Sequence, residues 1–264
     1  MTIITLLTDF GTKDPYVGQM KGVILESCPD CQIVDVTHEV ERHNLLMGSF
    51  LLESTASYFP EGTVHVAVVD PGVGSRRLPI VVKCKHAVLV GPDNGLLARA
   101  GRKLGFQAVY TIKRSDFMRG NIADTFHGRD IFAKTAAMIA AGHRPEEVGP
   151  RIPKLAELNV PEPKVERGVL KCCVLHVDIF GNVITNAPND LIGKIGGRFR
   201  QLKVQAKKGD AEARIVRAYS DVGRGELAVL EGSQEYVELA VREGSASELL
   251  GVKPMDVVRV RLAR

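Results

Sequence analysis

The chain has 264 residues, of which 45% are hydrophobic and 25% are charged. This composition is typical of a globular protein with a substantial core, and it excludes a peptide, a disulfide-stabilised mini-protein and a disordered chain. No apolar stretch reaches the roughly 18 residues of a bilayer span, and the start of the sequence lacks signal-peptide features, so we expect a cytoplasmic protein.

Short apolar segments alternate with amphipathic segments of helical length over the first 150 residues. The predicted strands are 3–7, 32–36, 64–69, 80–82, 87–90 and 108–112, and the predicted helices are 17–27, 44–58, 96–104 and 129–141. This alternation is typical of strand–helix–strand units around a parallel sheet. We therefore predict an N-terminal α/β domain with a mainly parallel sheet over residues 1–150.

A proline-rich stretch follows the first domain and predicts a linker at residues 151–167. From residue 168 to residue 264 the pattern becomes alternating and β-rich, with turn residues every 8–12 positions, which predicts a small β-barrel or sandwich. One helix is expected inside this domain, because Ser245 and Glu248 have the spacing of a capping box and Gly251 supplies a stop.

The formal net charge of +4 comes from residues 151–264, which include 19 basic and 15 acidic residues. Six basic residues lie in a stretch without an acid: Lys194, Arg198, Arg200, Lys203, Lys207 and Lys208. No aromatic residues are regularly interleaved for base stacking, so we favour a solvated strand face over a nucleic-acid site. We expect no nucleic-acid partner and no membrane association.

Five cysteines are an odd number, and two of them are adjacent, which does not fit a secreted disulfide framework. Cys28 and Cys31 have CxxC spacing, but no second pair and no nearby histidine complete a zinc site. We expect reduced thiols and no metal.

Two acidic residues follow predicted parallel strands. Asp9 follows the first strand and Asp70 the third, and both are followed by glycine within two positions. Ligands of open parallel sheets bind beyond the carboxyl ends of the strands, so both residues are candidates for a site. Both segments also have the composition of plain turns. The phosphate-binding motifs GxGxxG and GxxxxGK[ST] are missing from the sequence, which argues against dinucleotide and P-loop chemistry.

Two further segments could contribute chemistry. His127 stands at the start of a predicted helix, where a neutral imidazole is favoured and a developing negative charge is stabilised; a helix cap is the alternative. Asp178-Ile-Phe-Gly-Asn182 interrupts a strand of the second domain beside an aromatic residue, and a simple hairpin turn is the alternative.

Six motifs follow one another along the chain: ITLLTDFGTKDPYVGQMKG, VVDPGVGSRR, GPDNGLL, FHGRD, DIFGNVITN and EGSQEYVELA. In this order they closely resemble the S-adenosyl-L-methionine (SAM) hydrolase family, also called SAM hydroxide adenosyltransferases, which is related to SAM-dependent fluorinating and chlorinating enzymes. The resemblance covers nearly the whole chain. It implies an α/β domain, a C-terminal β-barrel, and a homotrimer whose sites lie between the N-terminal domain of one subunit and the C-terminal domain of the next.

The resemblance also implies roles for individual residues. The catalytic Asp, Arg and His fall on Asp70, Arg77 and His127, with Arg76 as a neighbouring candidate for the arginine. Asp9 is expected to bind the ribose, Asn182 the adenine, and Asp14 and Asp178 the methionine amino group. The remaining pocket residues are expected to be Phe180, a stacking or wall residue, Gly128, Ser233 and Gln234, the last standing where relatives can have arginine.

The expected reaction is attack of a water-derived oxygen on the 5′ carbon of SAM, which releases methionine and gives adenosine without any cofactor. A hydroxide-like nucleophile and a sulfonium annihilate charge, and a dry pocket favours this step. Halide attack on the same carbon is an alternative, disfavoured because the Asp70 carboxylate would repel a halide. A non-catalytic sensor of an adenosyl ligand is a second alternative.

Overall fold

The computed structural model of the protein describes residues 2–195 and 201–263. The chain divides after Leu158 into two compact units, at a position inside the stretch predicted as a linker. Both ends of that stretch are structured, because Arg151–Ile152 pairs with the sheet of the first unit and Lys164–Glu166 with that of the second. The prolines therefore keep only the middle of the stretch free of strands.

The described part of the first unit contains a seven-stranded sheet. Its strands are β1 (Ile3–Thr8), β2 (Gln32–Thr37), β3 (Thr63–Val68), β4 (Pro79–Cys84), β5 (Ala87–Pro92), β6 (Phe106–Thr111) and β7 (Arg151–Ile152). Their order is β2-β1-β3-β5-β4-β6-β7. The pairs β2-β1, β1-β3 and β3-β5 are parallel, whereas β4 and β6 run antiparallel to their neighbours. Only two residues connect β4 to β5, which allows a hairpin but no parallel crossover. The α/β class is confirmed, with a mixed sheet.

Helices cover both faces of this sheet. They are α1 (Tyr16–Ser27), α2 (Leu45–Ala56), α3 (Ala98–Lys103) and α4 (Lys134–Ala140), and a π-helical segment, Gly128–Ala133, directly precedes α4. One apolar cluster contains Met20 of α1 and Phe132 of the π-helical segment, and another contains Leu52 of α2 and Ala100 of α3. Because helices bury both faces of the sheet, the carboxyl ends of its parallel strands are where polar residues can be presented to a ligand.

A histidine is buried within the sheet itself. His65 of β3 is 1% exposed, its Nδ1 lies 2.8 Å from Thr5 Oγ1, and its Nε2 has no hydrogen-bond partner in the described structure. Burial disfavours the charged imidazolium and lowers the pKa of His65 to about 4. The folded protein therefore keeps this ring neutral where an unfolded chain would protonate it.

We expect His65 to make the protein sensitive to acid. Between pH 6.5, near the ordinary histidine pKa, and about pH 4, the pKa of His65 in the folded protein, the unfolded state binds one proton more than the folded state. The free energy of unfolding therefore falls as the pH falls through this range, by about 3 kcal/mol in total. In His65→Gln this loss should be absent. Denaturant unfolding at pH 7 and pH 4.5 would measure the difference between the two proteins, and parallel losses of stability in both would contradict the prediction.

The second unit is a β-barrel, which decides between the two architectures that the sequence pattern allowed. Its strands are β8 (Lys164–Glu166), β9 (Val169–Val177), β10 (Val183–Pro188), β11 (Gln201–Ala206), β12 (Gly209–Ile215), β13 (Leu227–Glu231), β14 (Tyr236–Val241) and β15 (Val257–Leu262). Seven of these described strands close a ring in the order β9-β10-β14-β13-β12-β11-β15, and β8 pairs with the outside of the ring at β9. The predicted helix is present as α5 (Ala246–Leu250), with Ser245 Oγ accepting from Glu248 N at 3.1 Å and Gly251 at φ 66°.

Acidic groups from elsewhere in the fold approach the basic stretch of this unit. Lys207 Nζ lies 2.8 Å from the Asp256 carboxylate, whereas Lys208 Nζ donates to a neutral group, the backbone carbonyl of Glu248, at 2.7 Å. Lys203 stands opposite Glu212 across the β11–β12 pair. Arg198 and Arg200 lie outside the described residues. Part of the positive charge of the described lysines is therefore compensated.

All five cysteines are free and buried, including Cys28 and Cys31. Burial raises the pKa of the Cys31, Cys84 and Cys172 thiols to about 12. Among the described residues, no three His, Cys, Asp or Glu side chains form a group that could hold a metal ion. Within the same ranges, no helix has the length and apolar character needed to cross a bilayer.

Candidate active site

The first unit brings an aspartate and an arginine together in a nearly buried ion pair. Asp70 follows β3, and the turn after it returns the chain so that Arg77 Nε lies 2.9 Å and 3.0 Å from the two Asp70 carboxylate oxygens. Arg77 Nη2 also donates to Asp70 Oδ2. The Arg77 and Asp70 side chains are 9% and 5% exposed, so each ion is held mainly by the other.

His127 completes the group from a distant part of the chain. Its Nδ1 lies 2.8 Å from Arg77 Nη2, and because a guanidinium can only donate, this ring nitrogen accepts. The imidazole is therefore neutral and carries its proton on Nε2. Partial burial, together with the nearby charge of Arg77, lowers the pKa of His127 below its ordinary value. The residue stands immediately before the π-helical segment, as expected for a side chain at a helix start.

Of the two adjacent arginines, Arg77 is the one that joins this group. Arg76 is exposed, whereas the Arg77 guanidinium also lies 5.3 Å from the centroid of the Phe132 ring. The apolar contact and the Asp70 carboxylate hold the guanidinium in one orientation. Arg77 is thereby placed to connect Asp70 to His127.

Asp70 and His127 both line a cavity of about 370 Å³. Three aromatic rings, Phe10, Tyr16 and Phe126, line the same cavity in edge-to-face contact, with centroids 5.2–6.0 Å apart. A Cβ on Gly128 would lie 3.3 Å from the rings of Phe10 and Phe126, so glycine lets both rings pack tightly there. A partly apolar cavity with a carboxylate and a neutral imidazole can hold a small polar nucleophile such as water.

Sequence reasoning did not select the aromatic residues of this cavity. Phe10 directly follows Asp9 and Phe126 directly precedes His127, so both belong to motifs that the sequence analysis had already singled out. An aromatic residue beside a polar candidate is a signal that could have found them. Val73, on the turn between Asp70 and Arg77, also lines the cavity.

Two predicted ligand residues of this unit lie outside the lining of the cavity. Asp9 Oδ2 accepts from the backbone N–H of His43 at 2.9 Å, and His43 has an uncommon positive φ of 64°. Asp14 is exposed in the loop before α1. Asp9 is thus fixed by a strained backbone position of a neighbouring loop, while Asp14 remains open to solvent.

Three predicted residues of the second unit lie together. Asp178, Phe180 and Asn182 line a cavity of about 700 Å³ with Tyr219 and residues 241–244. Asp178 Oδ1 accepts from the backbone N–H groups of Phe180 and Asn182, both at 2.9 Å, and Oδ2 accepts from Asn182 Nδ2 at 3.0 Å. The segment is therefore a hairpin turn that also presents polar and aromatic groups to a cavity.

Ser233 and Gln234 are not brought to the turn formed by residues 178–182. They lie in the turn between β13 and β14, next to Tyr236, whereas the strand register places the 178–182 turn near Ala240, beyond the middle of β14. Neither residue is among the described residues that line the 700 Å³ cavity.

Comparisons with known proteins identify the family of the chain. Residues 4–149 match the family model described as "SAM hydroxide adenosyltransferase N-terminal domain", and residues 172–259 match the corresponding C-terminal domain. The chain is 38% identical to the (R)-S-adenosyl-L-methionine hydrolase of Salinispora tropica over 97% of both chains. A fluorinase of Actinopolyspora mzabensis is 27% identical over 98% of this chain and 96% of that protein.

A solved structure shows the same fold at similar identity. The crystal structure of an uncharacterized conserved protein from Thermotoga maritima superposes with a TM-score of 0.94 at 38% identity, covering 98% of this chain and 99% of that one. Both domain matches, the relative at 38% identity and the shared fold lead to one conclusion: the chain belongs to the SAM hydroxide adenosyltransferase family.

Proposed function

We propose that this protein hydrolyses S-adenosyl-L-methionine to adenosine and L-methionine. The observation that carries the proposal is the connected group Asp70–Arg77–His127, two members of which line one cavity. The name of the Salinispora tropica relative supports the same reaction class. The oxygen of water attacks the 5′ carbon, the carbon–sulfur bond breaks, and its electron pair leaves with the sulfur of methionine.

The three side chains have different parts in this step. Asp70 accepts a hydrogen bond from the water and orients it, because a carboxylate is too weak a base to deprotonate free water by itself. His127 donates its Nε2–H to a lone pair of the water oxygen and holds it in place, and the charge of Arg77 stabilises the hydroxide character that this oxygen gains as its proton moves toward Asp70. The oxygen becomes more acidic as the carbon–oxygen bond forms, so its proton passes to Asp70 during the attack, and Asp70 then releases the proton to solvent. Sulfonium departure itself requires no metal or cofactor.

Substrate contacts are proposed as the family resemblance implies. Asp9 binds the ribose hydroxyls and Asn182 binds the adenine, with Phe180 as a stacking or wall residue of the same pocket. Asp14 and Asp178 bind the methionine amino group. Gly128, Ser233 and Gln234 line the pocket, the last two near the methionine moiety. The clustering of Asp178, Phe180 and Asn182 at one cavity supports their assignment to a common ligand.

We also propose that the protein forms a homotrimer in which each site uses the first unit of one chain and the second unit of the next. Ile179 and Phe180, at the tip of the 178–182 turn, are 93% and 71% exposed, and such an apolar tip is suited to contact a second chain. The free cysteines fit a reducing compartment, and we propose that the enzyme acts in the cytoplasm.

Product analysis in ¹⁸O-labelled water tests the reaction. The purified protein is incubated separately with the (R) and (S) sulfonium epimers of SAM, since the relative is named for the (R) epimer. We expect labelled adenosine together with methionine. Unchanged SAM would indicate a sensor, and a 5′-halogenated nucleoside in the presence of halide would indicate a halogenase.

The pH dependence of turnover provides a prediction about His127. Protonation would place a second positive charge beside Arg77 and abolish the acceptor at Nδ1, so the active form is the neutral ring. Because the pKa of His127 lies below its ordinary value of about 6.5, kcat/KM should stay constant down to that pH and fall only in more acidic solution. The His127→Gln protein, which is slower, should lack this acidic limb. A limb centred above pH 6.5 in the unmodified protein would contradict the assignment.

A further inference from the structure

The second unit contains a buried carboxylate that the proposed mechanism does not use. Glu238 lies on β14 between Val237 and Leu239, whose side chains fill the barrel core, so Glu238 faces the outside of the barrel. It is nevertheless 5% exposed, beside a small apolar cluster that includes Val222 and Ala240. A carboxylate in such surroundings is costly unless another group compensates for its lost hydration.

The compensating group is the hydroxyl of Tyr219. Tyr219 Oη donates to Glu238 Oε1 at 2.6 Å from a short 3₁₀ turn, Tyr219–Asp221. Burial, and then the hydrogen bond to Glu238, raise the pKa of Tyr219, so the phenol remains a donor. Burial also raises the pKa of Glu238, and the charge of Asp178 acts in the same direction.

The ring of Tyr219 lines the 700 Å³ cavity that also contains Asp178, Phe180 and Asn182. Tyr219 is 49% exposed and Phe180 is 71% exposed, so two aromatic side chains in the lining of this cavity remain open. Aromatic rings left open at a cavity are suited to pack on a planar heterocycle. Without its hydrogen bond, the Tyr219 ring would be free to change rotamer.

The second carboxylate oxygen of Glu238 lies near the turn that carries Ser233 and Gln234. A Cβ on Gly232, the residue before Ser233, would lie 3.2 Å from Glu238 Oε2 and 2.5 Å from the Tyr236 carbonyl oxygen. Glu238 therefore lies between the 178–182 turn and the turn that carries Ser233 and Gln234. Glu238 thus bonds to Tyr219, which lines the cavity together with the 178–182 turn, and lies close to Gly232 beside Ser233.

We propose that Glu238 is a positioning residue of the adenosyl-binding site, which holds the Tyr219 ring as a wall of the cavity through the Tyr219–Glu238 hydrogen bond. The inference rests on the proposed function, because it takes the ligand of this cavity to be the adenine of SAM. It adds Tyr219 as a binding residue and Glu238 as the group that fixes it.

Calorimetric titration with adenosine and steady-state kinetics with SAM test this role. Glu238→Leu removes the acceptor, and we expect it to weaken adenosine binding and raise KM about tenfold, with kcat within about twofold of the original. Glu238→Gln keeps an acceptor oxygen and should restore most of the affinity. Glu212→Gln, an exposed carboxylate of the same unit, is the matched control and should change neither quantity.

A double-mutant cycle separates positioning from general structural support. In a Tyr219→Phe background, Glu238→Leu should weaken adenosine binding no more than about twofold, because the hydroxyl that Glu238 holds is already missing. Fully additive effects, or unchanged adenosine affinity in Glu238→Leu, would overturn the proposal. If Glu238→Leu does not fold by circular dichroism, Tyr219→Phe alone must weaken adenosine binding about fivefold or the proposal fails.

The two readouts also distinguish this inference from the proposed function. Adenosine binding that depends on Glu238, in a protein that leaves SAM intact, would refute hydrolysis and support the positioning role. Normal hydrolysis with an adenosine affinity that does not depend on Glu238 would refute the positioning role alone. An original protein that binds no adenosine would also refute it.

Discussion

Asp70→Asn is expected to lower kcat by about a thousandfold and to change KM less than threefold. An asparagine would turn an N–H₂ group or a neutral oxygen toward Arg77, which now donates to both carboxylate oxygens. The guanidinium would lose its orientation, and its hydrogen bond to His127 would loosen with it. Because Asp70 is proposed to orient the water and not the substrate, the loss should appear in kcat and not in substrate binding.

The three side chains should behave as one unit in this measurement. Asp70→Asn, His127→Ala and the double variant are expected to show similar kcat values, because removing one member already disables the group. Asp116→Asn is the control, since Asp116 is an exposed carboxylate of the same unit paired with Arg114. A loss in kcat of less than tenfold in Asp70→Asn would show that Asp70 only supports the fold.

Mixed assembly should restore activity to two inactive or weakened proteins. If each site combines the first unit of one chain with the second unit of the next, random trimers of Asp70→Ala and Asn182→Ala chains contain about a quarter of intact sites. Unfolding and refolding the two proteins together should therefore give about a quarter of the original kcat/KM, measured well below KM. Asn182→Ala alone should retain about a tenth, through the loss of adenine hydrogen bonds.

The control for this experiment is the same mixture without unfolding. It should show only the average of the two parents, about one-twentieth of the original activity. Refolded mixtures that stay at this average would mean that both halves of the site come from one chain. Light scattering that reports an active monomer would contradict the shared-site proposal and leave the chemistry of Asp70 untouched.

Most elements of both units follow from local sequence patterns, but two features of the first unit do not. The mainly parallel sheet was expected from alternating strands and helices, yet β4 and β5 are joined by Lys85 and His86 alone, which forces a hairpin. The helical period over residues 129–141 predicts one continuous helix. The structure instead has a π-helical segment, Gly128–Ala133, at its start, with Phe132 buried in the core, and no local propensity encodes it.

Some residues of the site can be identified from local sequence patterns, whereas others depend on contacts between distant parts of the chain. Asp70 and His127 could be selected because each stands at the end of an element, whereas Arg76 and Arg77 are identical in type and adjacent. Only the turn after Asp70 determines which guanidinium faces inward. Glu238 alternates with apolar residues as an exposed strand residue would, and it is buried because the distant 216–222 segment covers it. Such coverage is a tertiary property.

The burial of all five cysteines makes this chain convenient for site-specific labelling. Thiol reagents attack accessible thiolates, and the native thiols are all buried. Burial also raises the pKa of the Cys31, Cys84 and Cys172 thiols to about 12, so these remain protonated at neutral pH. A cysteine introduced at Tyr58, which is 77% exposed and lies outside the proposed site, would therefore react alone with a maleimide dye. One fluorophore per chain, attached without removing any native residue of the core, would make subunit exchange directly observable by energy transfer.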